Sequence, residues 1–284
     1  MLRILKAMVI CSALVWGYSD LDMDGVEDSV DRCPNTSLLE LVDINGCTIK
    51  NLGNPHHFDV ILGASYSQIN PTTQEKTDTY AASLQADYYY KAFSLQLSTA
   101  YFDSESSITS TKGTTDTFLG AYYQFIPLST LNVRLGGGLL LPTYDADNNL
   151  LDYTVSASLS YLLNNFNFFG SYSYTIINDE TVNYTDVNNN PVSISYANTS
   201  AYNVGVGYYP TAKLYTSVAY NSSDSIYDKI ITGTAVDTVE SLNTASVYLF
   251  YTLNKHWFTT ASYAYGLSDS ASDHYVNVRL GYYF

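Results

Sequence analysis

Between residues 57 and 284, apolar and polar side chains alternate with period two in successive segments of about ten residues. In 274–284 one face carries Val276, Val278, Leu280, Tyr282 and Phe284, and the other carries Tyr275, Asn277, Arg279, Gly281 and Tyr283. Residues 92–102 set Phe93, Leu95, Leu97 and Tyr101 against Ser94, Gln96, Ser98 and Ala100. Successive side chains of a strand point to opposite faces, so each segment reads as a strand with one apolar and one polar side. Twelve segments follow this rule: 57–69, 79–90, 92–102, 115–125, 131–141, 151–162, 166–176, 200–209, 212–221, 243–252, 256–265 and 274–284. Their connections alternate in length. Residues 70–78, 103–114, 142–150, 177–199, 222–242 and 266–273 are long, whereas those centred on Lys91, Ile126–Thr130, Leu163–Asn165, Pro210–Thr211 and Leu253–Lys255 are short. The pattern predicts an all-β chain of antiparallel hairpins with every long connection at one end. A β-sandwich also alternates, so periodicity alone leaves open whether the strands stack as two sheets or close on themselves.

Composition bears on partners and on the compartment. Twelve Lys+Arg against 27 Asp+Glu give a net charge of −15, which argues against nucleic acid, since phosphates need clustered basic residues. Aromatic residues make up 15% of the chain, far too many for a disordered one. Beyond the N-terminus no run approaches the ~20 apolar residues of a spanning helix. At the N-terminus, Arg3 and Lys6 precede the apolar stretch Ala7–Trp16, followed by the small residues of Gly17-Tyr18-Ser19. This order reads as a signal peptide over residues 1–19, cleaved after Gly17 or Ser19, with a buried N-terminal helix as the alternative. Cleavage removes Cys11 and leaves Cys33 and Cys47, an even pair in an oxidising compartment.

The strand pattern resembles that of bacterial outer-membrane β-barrels, whose turns are short on the periplasmic side and whose loops are long outside. Tyr88, Tyr90, Tyr161, Tyr208, Trp257, Tyr282 and Phe284 fall near strand ends, as an aromatic girdle requires. A last amphipathic strand ending in Phe284 also resembles the signal read by the outer-membrane assembly machinery. The expected fold is therefore a transmembrane antiparallel up-and-down β-barrel of about 12 strands over 57–284. Its setting would be the outer membrane of a Gram-negative cell, against lipid and lipopolysaccharide. A secreted sandwich or jelly roll is the alternative. An even strand number would return both ends of the barrel to the periplasmic side. Most carboxylates fall in the long connections, which read either as a solvated surface or as a mouth that gathers cations.

Residues 20–47 carry one sharp motif. Counting Asp20 as position 1, Asp22, Asp24, Asp28 and Asp31 stand at 3, 5, 9 and 12, and Gly25 at 6. That is the grid of an EF-hand loop, in which several hard oxygens surround Ca²⁺ and Gly allows a sharp turn. Val26, at position 7, would offer its backbone carbonyl. Position 12 is Asp rather than Glu, so the loop must close more tightly. The stretch D-x-D-x-D-G-x-x-D-x-x-D-x-C-P from Asp20 to Pro34, followed by Val42-Asp43-x-x-Gly46-Cys47, resembles a thrombospondin type 3 repeat. The resemblance implies Ca²⁺ on the aspartates and a Cys33–Cys47 bridge, and such repeats occur in the periplasmic linkers of OmpA-like proteins. Residues 20–50 are thus expected to form a calcium-binding module in the periplasm, a plug or spacer below the barrel. An acidic solvated linker is the alternative.

The predicted inward face is small and polar, with Ser83, Gln85, Ser94, Gln96, Ser98, Asn132, Ser156, Ser158, Ser171, Asn203, Gly205 and Ser217. Asp59, Asp87, Arg134 and Arg279 share it, and facing charges of both signs would set a field across a pore. Such a lumen suits a narrow passive channel for small solutes or cations. The other reading is a non-conducting surface or envelope-structural protein that meets a partner through its long acidic loops. Asp273-His274 invites comparison with rim-active outer-membrane proteases or lipases, but no nucleophile can be set beside the pair, and no enzyme is expected.

Overall fold

A computed structural model of the chain describes residues 20, 26–28, 30–34, 36, 42, 45–47, 56–70, 76–107, 110–146, 148–185, 189–232, 235–237 and 241–284. The signal-peptide reading of 1–19 and the grid residues Asp22 and Asp24 lie outside the described residues. The strands are β1 (His56–Ile69), β2 (Thr77–Tyr90), β3 (Phe93–Ser106), β4 (Ser110–Thr114), β5 (Thr117–Leu128), β6 (Leu131–Leu141), β7 (Asp152–Leu163), β8 (Phe166–Ile176), β9 (Val182–Thr185), β10 (Pro191–Tyr196), β11 (Thr199–Thr211), β12 (Leu214–Ser223), β13 (Tyr227–Thr232), β14 (Ala235–Asp237), β15 (Leu242–Thr252), β16 (Trp257–Gly266) and β17 (His274–Tyr283).

Twelve of them close an antiparallel barrel, and β4 is a short extra strand on β3. Closure comes from β1 against β17, with Ile61 opposite Gly281 and Gly63 opposite Arg279. A closed barrel satisfies every strand edge, which an open sheet in contact with hydrocarbon cannot do. Two of the short turns use a left-handed residue, Lys91 between β2 and β3 and Asn164 between β7 and β8. Positive φ matches tight hairpin turns to the right-handed twist of the flanking strands.

The alternation resolves into two environments. Leu62, Leu84, Leu95, Leu97, Val155, Leu159, Val204, Val218, Val278 and Leu280 all face outward and are exposed. Aromatic side chains border this apolar belt at both ends. At the short-turn end Phe58 packs on Tyr88, Phe93 on Tyr123, Phe166 on Tyr208, and Trp257 on Tyr282. At the other end Tyr66 packs on Tyr80 and Tyr202 on Tyr220.

The long connections are not plain loops. β9 and β10 from one of them and β13 and β14 from another form a separate four-stranded sheet, ordered β14-β13-β10-β9. Val192, Ile194 and Tyr227 are its buried centre, covered by Tyr184, Tyr196, Ile226 and Ile230.

Candidate functional site in the barrel lumen

The inner wall is built by the alternate residues of the same strands. Ser94, Gln85, Asn132 and Ser217 are buried on it, as are Asp59 and Asp87, which face each other across β1 and β2. Arg279 projects from β17 across β1 and donates to Gln85 Oε1 on β2. Its path runs over Gly63, where an added Cβ would stand 3.1 Å from Arg279 Cγ. Gln85 Nε2 in turn donates to Asp87 Oδ2 at 2.7 Å. Arg134 comes from the opposite direction, out of β6. Its guanidinium lies over the Tyr122 ring at 3.9 Å and donates through Nη2 to Ser94 Oγ at 3.0 Å. The Tyr122 hydroxyl donates to Gln96 Oε1 at 2.9 Å, and Gln96 stands opposite Asp87 in the register of β2 and β3. The two arginines therefore converge on the β2–β3 hairpin and flank Asp87. Among the described residues the one ion pair within 4.0 Å is Lys76–Asp78, 3.1 Å apart, far from this cluster at the long-loop end.

The described part of residues 20–47 lies against this wall at the short-turn end. Val26, Val30 and Val42 form one apolar cluster with Ile61, Tyr215, Phe250 and Phe258, and Tyr209, Tyr248 and Tyr283 pack around it. Phe250 and Phe258 stack with centroids 5.2 Å apart and have no exposed surface. The Tyr248 hydroxyl donates to the Glu27 carboxylate. Opposite, a small polar cleft is lined by Asp28 and Pro34 on one side and Asn132, Ser160, Asn167 and Tyr209 on the other. The module thus enters the barrel mouth, where the sequence reading set it below the barrel. Large aromatic wall residues cover its three valines there, each burial worth roughly 1.5–3 kcal/mol. Cys33 and Cys47 are bridged with Cα atoms 5.0 Å apart, and Asp31 Oδ1 accepts from the Cys33 amide at 2.8 Å.

Four members of the calcium grid are described. Asp20, Asp28 and Asp31 are buried, and Val26 belongs to the apolar cluster. Among the described residues no three His, Cys, Asp or Glu side chains converge to hold a metal. Buried hard oxygens suit Ca²⁺ by type. A full Ca²⁺ ligand set would also need Asp22 and Asp24.

At the long-loop end aspartates act as acceptors between loops. Among them are Asp179, Asp224 and Asp273, whose long connections read as a solvated surface or a cation-gathering mouth, and Asp116 and Asp152, which the alternation assigns to strand segments. Asp116 Oδ1 takes the Tyr144 amide at 3.0 Å and Asn149 Nδ2 at 2.7 Å. Asp179 Oδ1 takes the Leu150 amide at 2.9 Å, Asp152 Oδ1 the Asn178 amide at 2.7 Å, and Asp224 Oδ2 the Ser200 amide at 3.0 Å. Asp273 Oδ2 takes the Asn70 amide at 2.6 Å, while His274 turns outward, its Nδ1 2.9 Å from the Tyr263 hydroxyl. The Asp273-His274 pair thus serves two separate contacts. Burial pushes the Asp116 and Asp179 carboxyls above the ordinary range, against the hydrogen bonds that favour their charged forms. An acid whose folded pKa is raised binds more protons in the native state than in the unfolded one. Its contribution is therefore greatest below the unfolded value of about 4 and is lost as pH rises through the folded value. The loop end is accordingly expected to resist limited proteolysis better in mild acid than at neutral pH, and D116N/D179N should flatten that dependence.

No family model and no curated protein matches the chain. Solved structures do. An outer membrane channel from Pseudomonas putida F1 superposes with a TM-score of 0.67 at 10% identity, over 82% of this chain and 97% of that one. The fold is that of outer-membrane barrels. The porin NanC follows with a TM-score of 0.52 at 12% identity, over 79% of this chain and 98% of its own. The translocator domain of the autotransporter NalP from Neisseria meningitidis reaches 0.50 at 11% identity, over 82% of this chain and 90% of that one. At such identities the shared property is the barrel itself. Parity along the strands puts Asp59, Asp87, Arg134 and Arg279 on one face, but the reach of the two arginines across neighbouring strands needed the register.

Proposed function

We propose that the protein is a narrow, passive outer-membrane channel whose N-terminal residues 20–50 form a Ca²⁺-stabilised plug at its periplasmic mouth. The observation that carries this reading is a closed barrel whose outer belt is apolar and whose lumen is small, polar and bicharged. Strands of this polarity need hydrocarbon outside and water or protein inside. Small solutes pass by diffusion, and outer-membrane lipid and lipopolysaccharide surround the wall. Phe284, which is exposed at the end of the chain's last strand, offers the assembly machinery its recognition point. Planar-bilayer recording of the purified protein tests the reading. Discrete, salt-dependent current steps are expected, and silence in every salt would overturn it.

The calcium part of the reading rests on the grid from Asp20 to Asp31 and on the resemblance to a type 3 repeat. Calorimetry on the full chain in detergent should show Ca²⁺ binding that D24A or D31A abolishes. Equal heats from wild type and variants would leave the motif as an acidic linker. The second reading, a non-conducting surface protein, is favoured by one observation, the β9-β10-β13-β14 sheet standing apart from the barrel sheet. It would stand if bilayers stay silent even after the plug is expelled.

A further inference from the structure

Arg134 and Arg279 are two inward-facing, half-buried cations on a wall that also carries the buried carboxylates of Asp59 and Asp87, and their hydrogen-bond partners are neutral. Arg279 is held by Gln85 and Arg134 by Ser94. Arg134 Nε is buried and has no hydrogen-bond partner. Asp87, the carboxylate between them, is itself buried and held by Gln85. A guanidinium is a rigid fork of donors matched to the two oxygens of a carboxylate, and stacking on an aromatic ring fixes its plane. Tyr122 does this for Arg134. Arg134 is therefore oriented and incompletely used, and Arg279 is held by a neutral partner on the other side of Asp87.

We infer that Arg134 and Arg279 form a carboxylate-binding site on the lumen wall, which receives small anionic solutes and is contested by the acidic side chains of the seated N-terminal module. The module brings its own carboxylates to the lumen wall. Glu27 accepts from the Tyr248 hydroxyl on β15, which lies two strands from the Arg279 strand in the sheet order. The seated module thus presents to the arginine pair the same chemistry that a solute would. This site rests on the channel reading only for its use in transport, since binding can be measured without current.

The test is titration of the detergent-solubilised full chain with acetate, in wild type and in E27Q. Saturable binding is expected, several-fold tighter in E27Q, lost in R134Q/R279Q and weakened but still measurable in R134K. Absence of acetate binding in both wild type and E27Q overturns the site, as does binding that survives loss of both guanidiniums. Strand content by circular dichroism and heat-shifted gel mobility identify variants that fail to fold, and R134K keeps the comparison valid if R134Q does. In bilayers, R134Q/R279Q should move the reversal potential in a KCl gradient toward cation selectivity. Acetate binding without current would retain the site and overturn the channel, and current without acetate binding would do the opposite.

Discussion

Replacing Val30 with Asp is expected to open the lumen. Val30 is 2% exposed and sits among Val26, Val42, Ile61, Tyr215, Phe250 and Phe258. A carboxylate there loses the apolar burial, roughly 1.5–3 kcal/mol, and adds an ionic desolvation penalty of several kcal/mol. Against this stands the Tyr248–Glu27 hydrogen bond, worth about 1.5–3 kcal/mol for a charged acceptor. Val26 and Val42 keep their burial, so the seat is weakened and the module should leave it far more often. Val30 belongs to no strand, and the wall pairings do not involve it. The barrel should therefore keep its strand content and its heat-shifted gel mobility. Single-channel conductance should rise several-fold over wild type. Unchanged conductance in a folded V30D would mean that the module does not obstruct the path. Y248F, which removes only the hydrogen bond, should give a smaller increase of the same sign.

The barrel was legible because lipid and lumen impose opposite demands on adjacent residues. A segment such as Val155-Ser156-Ala157-Ser158-Leu159 meets both as a strand, and the alternation of long and short connections adds what separates a barrel from a sandwich. Residues 131–141 and 166–176 match β6 and β8 to the residue. The outer sheet was not legible, since its strands are short and pair across distant segments, as Ser193 does with Ile231. No local pattern announces such a pairing. The seat of the module was hidden for a different reason. Val26 reads as a backbone ligand and Val30 as a spacer of an aspartate grid, and only the wall shows that their side chains share a cluster with Phe250 and Phe258. The loop aspartates misled in the same direction. A carboxylate that accepts a neighbour's amide, as Asp179 does from Leu150, is indistinguishable in sequence from one in bulk water. In each case the missing information was long-range contact, not residue type.

The second large effect separates a membrane wall from a soluble sheet surface. Leu62 is 58% exposed, and its register partners Leu84 and Leu280 are outward-facing and exposed as well. Three leucines side by side on adjacent strands mark the middle of the apolar belt. If that belt faces hydrocarbon, L62R places a guanidinium near the bilayer midplane at a cost of about 2–4 kcal/mol. If the belt faced water, the same change would fall within about 0.5 kcal/mol of neutral, as surface substitutions do. Ser171 supplies the internal control, because it faces the polar lumen from β8 and S171R meets no hydrocarbon. Urea-dependent folding into phospholipid vesicles, followed by tryptophan fluorescence, reads the difference through Trp257 at the girdle. L62R should unfold at markedly lower urea than wild type, and S171R close to it. Equal midpoints for L62R and wild type would remove hydrocarbon from the outer face and with it the reason for the alternation on every strand.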